Sequence, residues 1–164
     1  MKTLHLLRHA KSSWDDPLLA DRDRPLNRRG QRDAPRMGQA LSTRLDPMAV
    51  SCSPARRARL TLEGLCQGWP ELANCAHDIQ ESLYTFDYRD LLDWLSCVPG
   101  SSDSLFLVGH NPAFTDLANV LTGTPVLDNL PTAGYLRLEL STDGWTDLPG
   151  SGVLSERLFP RELR

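Results

Sequence analysis

The chain has 164 residues, 40% hydrophobic and 24% charged, with a formal net charge of −3; that suits one soluble α/β-sized domain spanning 1–164 and is too little for two comfortable ones. No apolar run reaches the length of a membrane span and the N-terminus lacks a secretory pattern, so no membrane partner and a cytoplasmic location are expected. Charge is uneven: residues 1–59 carry thirteen Lys and Arg against six Asp and Glu, residues 60–164 carry five against fifteen, and sixteen of the eighteen basic residues are Arg. Arg offers a planar fork for oxyanions, and no aromatic-interleaved basic stripe accompanies it. A single anionic focus therefore fits better than nucleic acid.

In chain order, Lys2–Arg8 reads as an apolar strand that runs into an Arg-His pair, followed by a polar loop over 12–26. Asn27 is an N-cap for a helix to about Leu45, with Ala34, Met37, Ala40, Leu41 and Leu45 on one face; Pro35 inside it should kink it or move its start. Met48–Cys52 is a second strand. Pro54 suits the first turn of a helix ending near Gly68. Ala76–Gln80 is a third strand, and Asp87 caps a helix stopped by Pro99-Gly100. Ser104–Val108 is a fourth strand, followed by a helix from about Pro112 to Leu121 that Gly123 ends. Tyr135–Leu140 alternates as a strand, Asp143-Gly144 turns, and Val153–Phe159 closes the sheet. Cys52, Cys66, Cys75 and Cys97 form no C-x-x-C pair, which reads as four reduced thiols.

Alternating strands and helices argue a mostly parallel central sheet covered on both faces, a three-layer αβα sandwich. Ligands of such sheets bind at the carboxyl ends of the strands. Here those ends carry Arg8-His9, Ser53, Glu81 and His110. Four polar or ionisable strand ends point to one focus.

The residue types suggest phosphoryl chemistry. A neutral imidazole at His9 can attack phosphorus and split one displacement into two, and neighbouring guanidinium groups favour the neutral form. Arg8 and Arg57 are candidate phosphate ligands. Arg57 opens a helix, four residues after Ser53 and four before Thr61, so the three share a side. His110 can donate to a phosphoryl oxygen as charge develops. Glu81 is a candidate proton donor to the leaving group, which would require a raised pKa. Arg24, on a loop, can reach the same focus. No His-x-His or carboxylate cluster suggests a metal, and no phosphate-binding glycine loop suggests a nucleotide, so no cofactor is expected.

Leu7-Arg8-His9-Ala10 resembles the first signature of the histidine phosphatase superfamily, the phosphoglycerate-mutase-like fold. Ser53-Pro54-x-x-Arg57-Ala58-x-x-Thr61 and Val108-Gly109-His110-Asn111-Pro112 resemble its second and third motifs, and Arg24-Pro25-Leu26 and Glu81-Ser82-Leu83-Tyr84 its intervening segments. The short length and the Ala after His9 resemble the small SixA-type phosphohistidine phosphatases. The resemblance implies a metal-free hydrolase with His9 as nucleophile, Arg8, Arg57 and His110 around the phosphate, Arg24 as an extra phosphate or substrate contact, and Glu81 at the place of the acid in mutase-like members. Asp15 falls near a phosphate-binding Asn of the mutases.

The expected activity is thus a metal-independent phosphatase acting through a phosphohistidine on His9. Its expected substrate is a phosphorylated protein, such as a histidine-phosphotransfer domain in signal transduction, with inorganic phosphate as product. The alternatives are a small-molecule phosphomonoesterase or mutase acting on a small phosphoester, or a non-catalytic phospho-binding module.

Overall fold

The computed structural model describes residues 1–164 and builds the chain around one six-stranded sheet. β1 (Lys2–Arg8), β2 (Val50–Cys52), β3 (His77–Ile79) and β4 (Ser104–Gly109) are parallel, and β5 (Tyr135–Leu140) and β6 (Gly152–Leu158) add an antiparallel edge. The strand order is β3-β2-β4-β1-β5-β6. Strands one and four, distant in sequence, are neighbours at the centre.

Side chains alternate across the strands, and this alternation sorts the core into two layers. Leu4 and Leu6 of β1, Leu107 of β4, and Leu136, Leu138 and Leu140 of β5 face one side. There they meet α3 (Tyr88–Ser96) through Leu91 and Leu95, and α4 (Ala113–Thr122) through Phe114, Leu117 and Leu121. Leu7, Phe106, Val108 and Tyr135 face the other side, against Met37 and Leu41 of α1 (Arg28–Ser42) and Leu62 and Leu65 of α2 (Arg56–Gly68). This is the three-layer αβα sandwich that the alternation of elements predicted.

The caps follow the sequence. The Asn27 side chain accepts from Gly30 N–H at 2.9 Å and starts α1. Gly123, with φ at 74°, ends α4 in the left-handed conformation that glycine adopts without strain. Asp87 accepts from Arg89 N–H at 2.9 Å and starts α3. Several details differ: β2 starts at Val50, not Met48, and α1 ends at Ser42, short of Leu45. Pro54 precedes α2 instead of standing in its first turn. β3 is shorter than the periodicity suggested, having a neighbour on one side only. And α1 continues through Pro35.

Packing on α2 explains the last difference. A Cβ on Gly38 would lie 2.2 Å from the Leu65 carbonyl oxygen, and one on Gly68 would lie 1.9 Å from that of Pro35. The two helices approach backbone to backbone, with Pro35 at the crossing, and that tertiary contact overrides local propensity. Gly38→Ala is expected to cost about 2 kcal/mol by overpacking. The Tm should then fall by roughly 4–8 °C in thermal denaturation; an unchanged Tm would contradict the close approach.

Candidate active site

The register of β1 and β4 pairs Arg8 with Gly109, so the next residues, His9 and His110, emerge side by side. His9 N–H donates to the Gly109 carbonyl at 3.0 Å, and the two ring centroids are 5.2 Å apart. β2 lies on the other flank of β4 and delivers Ser53, whose N–H donates to the Val108 carbonyl at 3.0 Å. α2 begins three residues later and carries Arg57 in its first turn. Thr61, one turn on, locks this helix to the strand end. Its Oγ1 donates to the Arg57 carbonyl at 2.7 Å and accepts from Ala10 N–H at 2.9 Å. His9, Arg57, His110 and Ser53 are all buried.

The hydrogen bonds assign the tautomers. His9 Nδ1–H donates to the Ala10 carbonyl at 2.7 Å, which leaves a lone pair on Nε2; Arg57 Nε–H points at it from 3.4 Å. His110 Nε2–H donates at 2.7 Å to Ser53 Oγ, which also accepts from Ala55 N–H at 3.2 Å. His110 Nδ1 faces Arg57 Nη2 at 3.4 Å. The two Arg57 contacts are long for hydrogen bonds, so an oxyanion placed between these groups would compete well for the same protons.

Electrostatics keep both rings neutral. Burial lowers His9 to about 3; the Ala10 carbonyl opposes this, and His110, Arg57 and Arg8 add to it. Burial followed by Arg57 also lowers His110 to about 3. Arg8 donates from Nη1 to the Leu130 carbonyl at 2.8 Å, while its buried Nε has no partner. Burial and the neighbouring Arg57 charge both lower the Arg8 pKa. A buried unsatisfied donor beside a second cation is costly, and a phosphoryl dianion relieves the cationic crowding.

His9, Arg8, Arg57 and His110 therefore converge, as expected. Glu81 does not join them, which corrects the expectation for it. It begins the turn after β3 and is exposed, gripped by Arg22 Nη1 at 3.0 Å and Nη2 at 2.5 Å. That pairing holds its carboxyl below the usual range, the reverse of what a proton donor needs. Arg24 is buried and held by three hydrogen bonds. Its Nε donates to the Ser13 carbonyl at 3.1 Å, Nη1 to Asp21 Oδ1 at 3.1 Å and Nη2 to Ser12 Oγ, while Trp14 covers it at 3.4 Å. None of these bonds is to His9, Arg57 or His110, so Arg24 meets the cluster through Asp21. Asp15 is exposed, and its N–H donates to Ser13 Oγ at 3.1 Å.

Three residues at the mouth gave no signal as site residues. Asp21 accepts from Arg57 and from the Tyr84 hydroxyl. The rings of Tyr84 and Phe86 lie 5.4 and 5.6 Å from that of His110. Within the run Asp21-Arg22-Asp23-Arg24, Asp21 looks like an ordinary solvated charge; only the tertiary fold selects it. No trio of His, Cys, Asp or Glu side chains is gathered that could hold a metal ion. No helix is long and apolar enough to cross a membrane.

Comparison with known proteins agrees with this geometry. The profile of the histidine phosphatase superfamily (branch 1) matches residues 4–91. An uncharacterized protein of Mycobacterium tuberculosis is 35% identical over 94% of this chain and 100% of its own. SixA of Agrobacterium tumefaciens superposes with a TM-score of 0.78 at 25% identity, over 97% of this chain and 98% of that one. The protein histidine phosphatase SixA complexed with tungstate gives a TM-score of 0.74 at 21% identity, over 99% of each chain. Shared motifs, a shared sheet and a matching profile lead to one assignment: the chain belongs to the histidine phosphatase superfamily, branch 1, in its compact SixA-type form, and phosphatase activity is what that membership supports.

Proposed function

We propose that the protein is a metal-independent phosphatase that works through a transient phosphohistidine on His9 and acts on phosphohistidine of a protein substrate in cytoplasmic signal transduction. The observation that carries this reading is the His9 imidazole. Its Nδ1 is pinned to the Ala10 carbonyl, and its Nε2 lone pair is turned toward Arg57 and His110. In the first step Nε2 bonds to phosphorus, the bond from phosphorus to the leaving atom breaks, and its electron pair departs with the leaving group. In the second step water attacks the phosphorus, the P–Nε2 bond breaks, and inorganic phosphate leaves with His9 restored. Arg57 and Arg8 hold phosphoryl oxygens. His110 Nδ1, kept neutral by burial and Arg57, takes up a proton as the dianion arrives and donates it as a hydrogen bond to the charge built up in the transition state.

The acids support this substrate class. Hydrogen bonds from Arg and Tyr groups hold the Glu81 and Asp21 carboxyls below the usual range, so neither is poised to protonate a leaving group. An alkoxide leaves poorly without such help. The imidazole of a phosphohistidine accepts a proton on its free nitrogen beforehand and leaves as a neutral base. Four cysteines without disulfide partners suit a reducing compartment.

The test is a comparison of a phosphorylated histidine-phosphotransfer domain with a panel of alkyl and aryl phosphates. Acid-labile, base-stable label trapped on His9 after a rapid quench would support the reading. Turnover of alkyl esters alone would overturn the substrate class, and turnover without trapped label on any substrate would overturn the covalent step. The half-exposed Phe86 stands where a flat leaving group would stack. Phe86→Ala is expected to raise KM for an aryl phosphate about 3- to 10-fold, an energy appropriate to one lost aromatic contact, with a smaller change in kcat. Equal losses for aryl and alkyl esters would contradict a stacking role.

A further inference from the structure

We propose that Asp21 is a positioning residue for Arg57: it holds the outer edge of the guanidinium so that the inner edge presents Nε–H and one Nη2–H between the two imidazoles. The proposal rests on the phosphatase reading above and adds to it a residue that no signature motif contains.

The guanidinium is divided between two sides. Toward solvent, Nη1 donates to the Asp21 carbonyl at 2.7 Å and Nη2 to Asp21 Oδ2 at 3.0 Å. Toward the site, Nε–H faces His9 Nε2 and Nη2 faces His110 Nδ1, both at 3.4 Å. A planar group gripped twice along its Nη1–Nη2 edge, by the backbone carbonyl and the carboxylate of Asp21, is held against rotation, and the adjacent Nε–Nη2 edge is thereby aimed.

Asp21 is itself over-determined for a residue on a surface turn. Its side chain is 45% exposed, yet both oxygens are claimed by other side chains. Oδ2 accepts the Tyr84 hydroxyl at 2.5 Å as well as Arg57. Oδ1 accepts Arg24 Nη1 at 3.1 Å, and Arg24 is in turn fixed by Ser12, Ser13 and Trp14. Burial works against the Asp21 charge, but the hydrogen bonds from Tyr84 and Arg57 outweigh it and hold the carboxyl below the usual range. This gives Arg24 a use other than direct phosphate contact: it anchors the anchor.

A second role for Asp21 would have the opposite sign. A carboxylate beside Arg57 and Arg24 offsets positive charge, so if it only competed with phosphate, its removal would tighten anion binding. If it positions Arg57, its removal weakens binding and slows chemistry, because a misplacement of about 1 Å can cost on the order of 100-fold in rate.

The experiment compares the full-length wild type with Asp21→Ala, Asp21→Asn and Tyr84→Phe. Orthovanadate binding is measured by calorimetry, steady-state kinetics on an aryl phosphate, and Tm by thermal scan. For Asp21→Ala the expected result is about 10-fold weaker vanadate binding and a kcat lower by about 10- to 100-fold, with KM changed far less and Tm close to wild type. Asp21→Asn, which keeps an acceptor oxygen, should recover most of the loss. Vanadate bound by Asp21→Ala as tightly as by wild type, or more tightly, with kcat unchanged, overturns the proposal. Should the Ala variant fail to fold, Tyr84→Phe decides. A several-fold fall in kcat supports the proposal and an unchanged kcat overturns it. A wild type that binds no vanadate would instead sink the phosphatase reading itself.

Discussion

His9→Ala is expected to lower turnover of any good substrate by about 10⁴-fold or more, equivalent to roughly 5.5 kcal/mol of transition-state stabilisation. The fold should survive, since the ring is a strand-end group whose contacts are the Ala10 carbonyl, Arg57 and the edge of His110. Vanadate affinity should fall by much less than turnover, because Arg8, Arg57 and His110 remain to bind oxygens. The decisive combination is loss of trapped phosphoenzyme with retained circular dichroism and retained oxyanion binding. Retained turnover would mean that water attacks the substrate directly and that His9 is only a ligand.

Acid should unfold the empty protein over a defined window. His5, His9 and His110 are buried, and burial is the main cause that lowers them to about 4, 3 and 3. Unfolded histidines bind protons below about 6.5. Between that pH and about 4 the unfolded chain therefore holds more protons than the folded one. Stability rises with pH across the window, is fully present above 6.5, and is lost on acidification. Each ring contributes about 1.4 kcal/mol per pH unit, so the three together amount to on the order of 5–8 kcal/mol by pH 4.5, comparable with the whole stability of many domains. Denaturant midpoints measured from pH 7.5 to 4.5 check this; a flat profile would contradict it. Saturating vanadate should flatten much of the slope, because a bound oxyanion lets His9 and His110 accept protons in the folded state. His5, packed beside the rings of Phe106 and Tyr135 and hydrogen-bonded to the Tyr135 hydroxyl, should keep its share.

The parts of this site that were legible in the sequence are those fixed by strand ends. A strand that finishes in Arg8-His9 and another that finishes before His110 announce themselves locally, because an apolar run meets an ionisable group at a defined position. Ser53 and Arg57 follow from a strand-to-helix junction with helical spacing. Glu81 looked equivalent, being a carboxylate at a strand end, but Arg22, 59 residues away, claims it. Asp21 was invisible for the same reason in reverse, and Tyr84 showed only as the end of a family-like segment: a loop carboxylate and a phenol gain a role only when the fold brings them to Arg57. Pro35 likewise looked like an interruption until the glycines of α1 and α2 supplied a crossing close enough to hold the helix through it.

Neighbouring strands in a ladder lie about 4.8 Å apart, and the two imidazoles, one residue past paired positions on β1 and β4, are separated by 5.2 Å. The side-by-side emergence of nucleophile and electrophilic helper is therefore set by peptide hydrogen bonds in the middle of the sheet, and the Ala10 carbonyl and Ser53 hydroxyl then fix the two rings. Segments 12–26 and 81–87 add Asp21, Tyr84 and Phe86 around that pair without carrying its backbone pairing. Divergence in what such enzymes accept can proceed at the periphery while the reacting pair stays in register.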